Sequence, residues 1–411
     1  MKLSVIICVY NTPKEYLDSC LESISRSTVK DLPGGYEICM VDDGSTVDYS
    51  DLIEKHRLRV TKTENRGILS ARITGAKMAS GDYTVYCDSD DTVSFNYYLP
   101  MVEKACEENA DIVINDWATH TEKARYYPKN DDTISHNINL SGDDILLEFV
   151  RNEGRQHSYY VLWNKLYKTE LLQKSTDSIL RAGIDEKCSY SEDAAINFFA
   201  FRDAKKAINI HTGFYFYRIH PNQTVKAATG EKLRSQIDSM TKTFRIMREN
   251  IGDNTHRDLI ISHIDEWEKL MARAHYSAAK GAGYSELFPY IMKSYKTDTL
   301  KISTAKDGSC YAAKILLGDN FEDVDSTLLA IWNGEKEYTY TKRHKDEYTE
   351  RMLQYLNQKG KLAENAASPV AVPNFKIPLK KKIIHNKFVN KVGMLFFKKG
   401  SKSREFLKKF L

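Results

Sequence analysis

Three aspartates stand together in the segment YCDSDD, residues 86–91. Asp88, Asp90 and Asp91 directly follow an apolar-leaning run that is typical of a buried strand. Like charges at this spacing repel one another and lose solvation, so the cluster is expected either as a solvated turn that caps a helix or beside a cation. Mg²⁺ and Mn²⁺ bind one or two carboxylates together with substrate phosphates. The segment therefore indicates either an acidic turn or a site for a metal and a diphosphate.

Strands and helices alternate ahead of this cluster. The run LSVIICV, residues 3–9, predicts a strand covered on both faces, and the next helix is expected to begin with Thr12 as its N-cap. The further predictions are strands at 38–41, 59–62 and 83–87 and a helix at 68–79. This alternation predicts a mainly parallel, Rossmann-like α/β sheet flanked by helices, with right-handed crossovers.

Polar residues follow three of the predicted strands. Asn11, Asp43 and Asp88 each stand at the carboxyl end of a strand. Ligands of open α/β sheets bind at these ends. The three residues are therefore expected to meet in one crevice.

The rest of the chain is divided into predicted elements and domains from its residue pattern and composition. A strand is predicted at 111–115, a polar loop at 116–140, and further helices and a strand up to 225. The predicted domains are a catalytic domain at 1–225, a mainly helical domain at 226–362, a linker at 363–375 and a basic tail at 376–411.

Composition excludes several classes of protein. Of the 411 residues, 42% are hydrophobic and 28% charged, which is typical of a globular protein, and no apolar run approaches the roughly 18 residues of a membrane span. The seven cysteines are scattered without a C-x-x-C pair, which predicts reduced thiols in a cytoplasmic protein.

No G-x-G-x-x-G follows the first strand, which argues against an NAD-dependent oxidoreductase. A nucleotidyltransferase is disfavoured because the first turn has no Gly-rich loop bearing Lys or Arg.

An ordered series of motifs points to a family. LSVIICVYN, VDDGS, ENRGILSAR, GDYTVYCDSDD, WNKLYK, SEDAAINFF and FYFYRIHPN occur in that order within residues 1–225. The series resembles the nucleotide-binding and catalytic signatures of family 2 inverting glycosyltransferases with the GT-A fold, of the type that builds bacterial cell-surface polysaccharides. Each motif alone is weak, and the set is specific.

The resemblance implies a UDP-sugar donor and a Mn²⁺ or Mg²⁺ ion. It implies that Tyr10 and Asp43 hold the base, that Asp88 reaches the ribose, and that Asp90 binds the metal, with His220 as a further candidate ligand. Arg218 would contact the phosphates, although Gln223 and Thr224 depart from the usual pattern. The residues expected to bind the nucleotide sugar are Tyr10, Asn11, Asp43, Asn65, Gly67, Arg72, Asp88, Ser89 and Arg218.

The resemblance also implies the catalytic base. An inverting transfer needs a base that takes the proton of the acceptor hydroxyl, and the family places it on the aspartate of an ED pair, here Asp193. Glu192 is the alternate base, and both acids could instead simply favour a helix N-terminus. Residues 163–165 are expected near the acceptor side, with Trp163 as a core residue. A non-catalytic module that binds nucleotide sugars is the alternative function.

The C-terminal tail is strongly basic. Residues 376–411 hold twelve Lys or Arg and one acid, a net +11, whereas the whole chain carries +4. Apolar residues such as Phe388, Leu395 and Phe396 interleave with the lysines, which favours a helix on an anionic membrane surface. The prediction is therefore a cytoplasmic enzyme, peripheral at the inner face of the membrane, that acts on membrane-linked glycans. The alternatives are that the tail binds an anionic polymer such as a teichoic acid, or that it packs in a homo-oligomer. Nucleic acid is not the predicted partner.

The tail hypothesis predicts a difference between two lengths of the protein. The full chain should float with anionic liposomes at low salt and much less with neutral ones, because each basic residue near an anionic surface contributes on the order of 1 kcal/mol. A version that ends at Asn374 should float with neither. Equal flotation of the two versions would contradict a membrane role for the tail.

Overall fold

The structure is a computed structural model, and it describes a large part of the chain. The described residues are 1–121, 125–126, 134, 137–152, 156–184, 188, 190–219, 229–284 and 287–295. The predictions for His220, for residues 296–362, for the linker and for the tail lie outside them.

The strands and helices alternate as the sequence predicts. The strands are β1 (Leu3–Val9), β2 (Tyr36–Asp42), β3 (Arg59–Lys62), β4 (Tyr83–Tyr86), β5 (Thr92–Val93), β6 (Ile112–His120), β7 (Arg125–Tyr126), β8 (Asn139–Ser141), β9 (Lys165–Lys168) and β10 (Lys206–Arg218). The helices are α1 (Lys14–Arg26), α2 (Ser50–His56), α3 (Ile68–Met78), α4 (Tyr98–Glu108), α5 (Asp144–Arg151), α6 (His157–Tyr160), α7 (Thr169–Arg181), α8 (Glu192–Asp203), α9 (Gly230–Glu249), α10 (Arg257–Ala282) and α11 (Phe288–Ser294).

All these strands belong to one mixed sheet. Its order is β3-β2-β1-β4-β9-β6-β10-β5, with β7 and β8 paired to β6 and β10. The first four of these strands are parallel, with β1 between β2 and β4, whereas β9 runs antiparallel to both β4 and β6. The predicted α/β fold with a mainly parallel sheet flanked by helices is confirmed.

Strand β1 is buried on both faces because its side chains alternate between two cores. Val5 and Ile7 belong to a cluster beneath α1, α2 and α4, whereas Ile6 belongs to the cluster beneath α3, α7 and α8. Helix α3 approaches β1 closely at Gly75, where a Cβ would lie 2.3 Å from Ile6 Cγ2. A glycine is therefore required at this crossing.

The helices after the sheet extend the second of these cores. Trp267 of α10 packs against Phe149 of α5 and Phe244 of α9, with ring centroids 5.9 and 5.5 Å apart. These rings belong to the same cluster of buried residues as Ile196 and Phe199 of α8. Helices α8, α9 and α10 thus share one hydrophobic core. None of the helices in the described ranges is both long and apolar enough to cross a membrane.

Two local predictions are wrong. Helix α1 begins after Pro13 without a side-chain cap, and Thr12 instead shares a hydrogen bond with Ser89 at 2.7 Å. Residues 116–120, predicted as part of a polar loop, continue strand β6. They do so because β10 pairs with β6 over these positions and because Trp117 and Ala118 are buried.

Candidate active site

The crevice forms where three neighbouring parallel strands end. Val9 of β1 pairs with Asp42 of β2, and Ile6 of β1 pairs with Tyr86 of β4, so the residues after these strands emerge at the same edge. Tyr10 is 55% exposed there. The exposed ring is available to stack on a planar ligand.

Asn11 holds the loops of the crevice together. Its Oδ1 accepts hydrogen bonds from the N–H of Thr46 at 2.8 Å and from the Thr46 hydroxyl at 3.0 Å. Its own N–H donates to Ser45 Oγ at 2.9 Å, and its φ of 51° lies in the left-handed region that asparagine tolerates. Asn11 therefore joins the loop after β1 to the loop after β2.

Asp43 organises the start of helix α3. Its carboxylate is 5% exposed and accepts hydrogen bonds from the backbone N–H groups of Arg66 at 2.9 Å and Gly67 at 2.8 Å. Gly67 has a φ of 93°, which a residue with a side chain rarely adopts, and it precedes the first turn of α3. Asn65, in the same loop, is exposed. The loop that carries Asn65 and Gly67 thus takes its shape from Asp43.

The three carboxylates of the D-x-D turn have different surroundings. Asp91 is fully buried and accepts hydrogen bonds from the Tyr215 hydroxyl and from the N–H of Arg218, each at 2.7 Å. Burial, together with the charges of Asp90 and Asp88, raises the pKa of Asp91 well above its ordinary value. Asp88 and Asp90 are partly exposed. The turn therefore presents two carboxylates to the crevice and keeps the third in the protein interior.

Arg72 connects the D-x-D turn to the ED pair. Its guanidinium is almost fully buried and donates to Glu192 Oε1 at 2.9 Å and to Asp88 Oδ1 at 3.4 Å, and it is also in contact with the Asp193 carboxylate. Burial opposes its charge, but Glu192 and Asp88 more than offset this effect and raise the pKa of Arg72. Arg72 and Glu192 are 120 residues apart in the chain. One buried cation thus brings two motifs together at the crevice.

The ED pair begins helix α8 on a strained residue. Ser191 precedes Glu192 with a φ of 71°, and its buried hydroxyl is 2.8 Å from Thr243 Oγ1 of α9. The side chains of Glu192 and Asp193 are 14% and 12% exposed, so both acids keep limited access to solvent. Strain of this kind is typical of functional sites, and here it is held in place by α9.

Arg218 ends strand β10 against the D-x-D turn. Its Nε donates to the backbone carbonyl of Asp90 at 2.6 Å, and its guanidinium lies over the Tyr16 ring with 4.7 Å to the centroid. The cation is therefore next to the residue that is predicted to hold a metal.

Residues 163–165 are interior. Trp163 stacks on Tyr215 with ring centroids 4.4 Å apart and an interplanar angle of 13°. Lys165 is fully buried and donates to Ser158 O at 2.7 Å and to Asn164 Oδ1 at 2.9 Å, and burial lowers its pKa well below the ordinary value. These residues pack beneath the crevice, and Lys165 orders the loop that precedes β9.

The sequence reasoning missed the roles of Asp91 and Tyr215. The sequence pattern does not distinguish Asp91 from the other two carboxylates. In the structure Asp91 is buried and hydrogen-bonded to Tyr215. Tyr215 belongs to FYFYR, where alternation along a strand sends it and Tyr217 to the same face. That alternation indicates a shared face but not a hydrogen-bond partner on a strand end 124 residues away.

Removal of the Arg72 charge should destabilise the fold. We expect Arg72→Met to lower the free energy of unfolding at pH 7 by about 3 kcal/mol, because breaking a buried ion pair leaves carboxylates without a partner. Urea unfolding followed by circular dichroism measures this. As a control, Arg26→Met removes an exposed pair with Glu22 and should change stability by less than about 1 kcal/mol.

The Arg72→Met deficit should also depend on pH. Burial raises the pKa of Asp88, and Arg72 opposes that rise. Without Arg72 the folded-state pKa of Asp88 rises further, so the variant loses stability as the pH increases through that value. The difference from the wild type should therefore be largest near pH 7 and shrink as the pH falls. A deficit that is constant with pH would contradict a charge effect at this site.

Comparisons with known proteins identify related sequences and a related fold. Residues 4–176 match the profile described as Glycosyl transferase family 2. Glycosyltransferase GlyA of Streptococcus pneumoniae is 26% identical over 345 residues, which cover 80% of this chain and 45% of that protein. Minor teichoic acid biosynthesis protein GgaB of Bacillus subtilis is 24% identical over 339 residues, which cover 77% of this chain and 35% of that protein. This chain thus spans less than half of either relative.

The fold is also that of a solved structure. S. aureus TarS 1–349 in complex with UDP-GlcNAc superposes with a TM-score of 0.55 at 17% identity, and the alignment covers 81% of this chain and 92% of that one. At this identity the likeness establishes the fold, which is the GT-A fold. Residues 4–176 of this chain thus match the glycosyl transferase family 2 profile, and the chain has the GT-A fold.

Proposed function

We propose that this protein transfers a sugar from a UDP-sugar to a hydroxyl group of a membrane-linked glycan or cell-wall polymer, with inversion at the anomeric carbon. The observation that carries the proposal is the ion-pair cluster in which Arg72 joins Asp88 of the D-x-D turn to Glu192 and Asp193. A donor-binding carboxylate and a candidate base next to one another are what a direct displacement requires. TarS in complex with UDP-GlcNAc supports a UDP-sugar donor, and the relative GgaB supports a cell-wall polymer as acceptor.

The donor occupies the crevice at the strand ends in this proposal. The exposed ring of Tyr10 stacks on the uracil base, and the loop that Asp43 shapes, with Asn65 and Gly67, lines its other side. Asp88 faces the ribose, and Arg218, at the end of β10, faces the diphosphate. Asn11 and Ser89 act through the loops that they hold, because their side chains are already hydrogen-bonded within the protein.

A divalent metal fits the D-x-D turn only when substrate phosphates supply some of its ligands. No group of three or more His, Cys, Asp and Glu side chains within the described ranges is arranged to hold a metal by itself. The turn does fit the mode in which one or two carboxylates bind Mn²⁺ or Mg²⁺ together with substrate phosphates. Asp90 is the carboxylate for this role in the proposal, because its side chain is partly exposed at the turn, whereas Asp91 is fully buried. When bound, the ion neutralises the charge of the departing diphosphate.

Asp193 acts as the base in the displacement. It accepts the proton of the acceptor hydroxyl, whose oxygen forms a bond to the anomeric carbon from the face opposite the diphosphate. The bond from the anomeric carbon to the diphosphate breaks, and UDP leaves with the electron pair. Arg72 pairs with Asp193, and Glu192 shares the same cation.

Replacement of the base should separate binding from chemistry. We expect Asp193→Asn to bind UDP as the wild type does and to lose transfer, or hydrolysis of the UDP-sugar, by roughly 10²-fold or more, the range of a general base. Calorimetric titration with UDP and release of UDP from a panel of UDP-sugars measure the two quantities. Glu192→Gln is the matched control and should retain more activity. If Glu192→Gln were the inactive variant, the base would be Glu192; if the wild type bound UDP without releasing it from any UDP-sugar, the non-catalytic alternative would hold.

Replacement of Asp90 should remove metal-dependent turnover and leave the fold intact. The side chain is partly exposed at a turn, so Asp90→Asn removes a ligand charge without a cavity. We expect the variant to unfold at the wild-type temperature and to show no stimulation by Mn²⁺ or Mg²⁺ in the UDP-release assay. Full activity of this variant, or of the wild type in excess chelator, would contradict the assignment of the metal.

A further inference from the structure

The buried carboxylate of Asp91 and the hydroxyl of Tyr215 form a hydrogen-bonded pair beneath the D-x-D turn. Asp91 is fully buried and Tyr215 is fully buried, so neither side chain can reach a substrate in the crevice. Their distance is 2.7 Å. They join two parts of the chain that end at the crevice, the turn after β4 and the strand β10.

The hydrogen bonds of this pair have one consistent direction. The Tyr215 oxygen accepts the backbone N–H of Asp88 at 2.9 Å, and the Tyr215 hydroxyl donates to Asp91 Oδ2. The other oxygen of Asp91 accepts the backbone N–H of Arg218 at 2.7 Å. Asp91 thus accepts one hydrogen bond from the Tyr215 hydroxyl and one from the backbone of Arg218. We call these contacts the Asp91–Tyr215 clamp.

The clamp controls the position of two groups with proposed donor-binding roles. Asp90 lies between the two clamped residues Asp88 and Asp91, and its carbonyl accepts the Nε–H of Arg218 at 2.6 Å. Strand β5, which follows the turn, pairs with β10 at Tyr215 and Val93. Asp90 and Arg218 are thus attached to the same hydrogen-bonded unit. The Asp88 carboxylate, by contrast, is held independently by Arg72.

We propose that Asp91 and Tyr215 are positioning residues that hold Asp90 and Arg218 in register with each other for the diphosphate half of the donor. The proposal rests on the proposed function for its ligand, but the clamp itself is a property of the free protein. It predicts that a defect in the clamp weakens recognition of the phosphates and leaves recognition of the nucleoside, which Tyr10 and the Asp43 loop serve, unchanged.

A neighbouring tyrosine supplies a matched control. Tyr97 is also fully buried, and its ring centroid is 6.2 Å from that of Tyr215. Its hydroxyl has no hydrogen-bond partner among the residues that the structure describes. Tyr97→Phe and Tyr215→Phe therefore remove the same atom from the same core, but only Tyr215→Phe breaks the clamp. The phenylalanine keeps the stack on Trp163.

The first measurement needs no ligand. Hydrogen exchange of the free protein, read by mass spectrometry, reports the backbone N–H groups of Asp88 and Arg218. In Tyr215→Phe the N–H of Asp88 loses its acceptor, so exchange in peptides that cover 86–93 and 214–219 should be faster than in the wild type, whereas Tyr97→Phe should match the wild type. Unchanged exchange in Tyr215→Phe would overturn the clamp, whether or not the protein is a glycosyltransferase.

The second measurement tests the consequence for the donor site. Calorimetric titration compares UDP in the presence of Mn²⁺ with uridine, which lacks the phosphates. Tyr215→Phe should bind UDP roughly ten-fold more weakly, the effect of one lost hydrogen bond, and should bind uridine as the wild type does. Asp91→Asn, which puts an N–H group where one acceptor stood, should show the same selective loss.

The outcomes separate the inference from the proposed function. Equal UDP affinity in wild type, Tyr97→Phe and Tyr215→Phe would overturn the positioning role, and so would a parallel loss of UDP and uridine affinity, since that indicates general loosening. Absence of UDP binding by the wild type would instead overturn the proposed function, and the exchange experiment would still decide whether the clamp exists.

Discussion

The structure of the crevice depends on the buried charge of Arg72. A guanidinium in the interior is tolerated only when carboxylates are close enough to offset its loss of solvation, and three carboxylates meet it here. Arg72 is carried by α3, one of its partners by the turn after β4 and the other two by the start of α8. The position of α8 over the end of the sheet is therefore tied to the position of the D-x-D turn.

The sheet makes this arrangement possible. Three parallel strands with β1 at the centre place Tyr10, Asp43 and Asp88 at one edge, and the antiparallel strand β9 then lets the chain return so that β6 and β10 extend the sheet. The last residues of β10 reach the same edge as β4. That return explains how Tyr215 and Arg218 contact a turn more than 100 residues earlier in the chain.

The three neighbouring aspartates are tolerated because they do not share one environment. Asp91 is buried and hydrogen-bonded within the protein, Asp88 is paired with an arginine, and Asp90 is partly exposed to water. Mutual repulsion is thereby reduced before any cation binds. A turn that divides its charges in this way can present a carboxylate to a metal and a diphosphate without being destabilised by the other two.

The sequence by itself determined the local elements and the chemical types at the site. The spacing of apolar residues and the polar residues at strand ends are local signals. They were sufficient to predict β1 to β4, α3, the position of Asn11, Asp43 and Asp88 at the ends of strands, and the ED pair at a helix start. Local signals failed at Thr12 and at residues 116–120, where a partner distant in the chain replaced the expected cap or loop. Only the tertiary structure decided that Arg72 joins the D-x-D turn to the ED pair. It also decided that Asp91 is hydrogen-bonded to Tyr215 and does not face the crevice. The physical reason is that ion pairs and hydrogen bonds between distant segments depend on which strands are neighbours in the sheet. The residue pattern of a single segment does not indicate which strand that neighbour is.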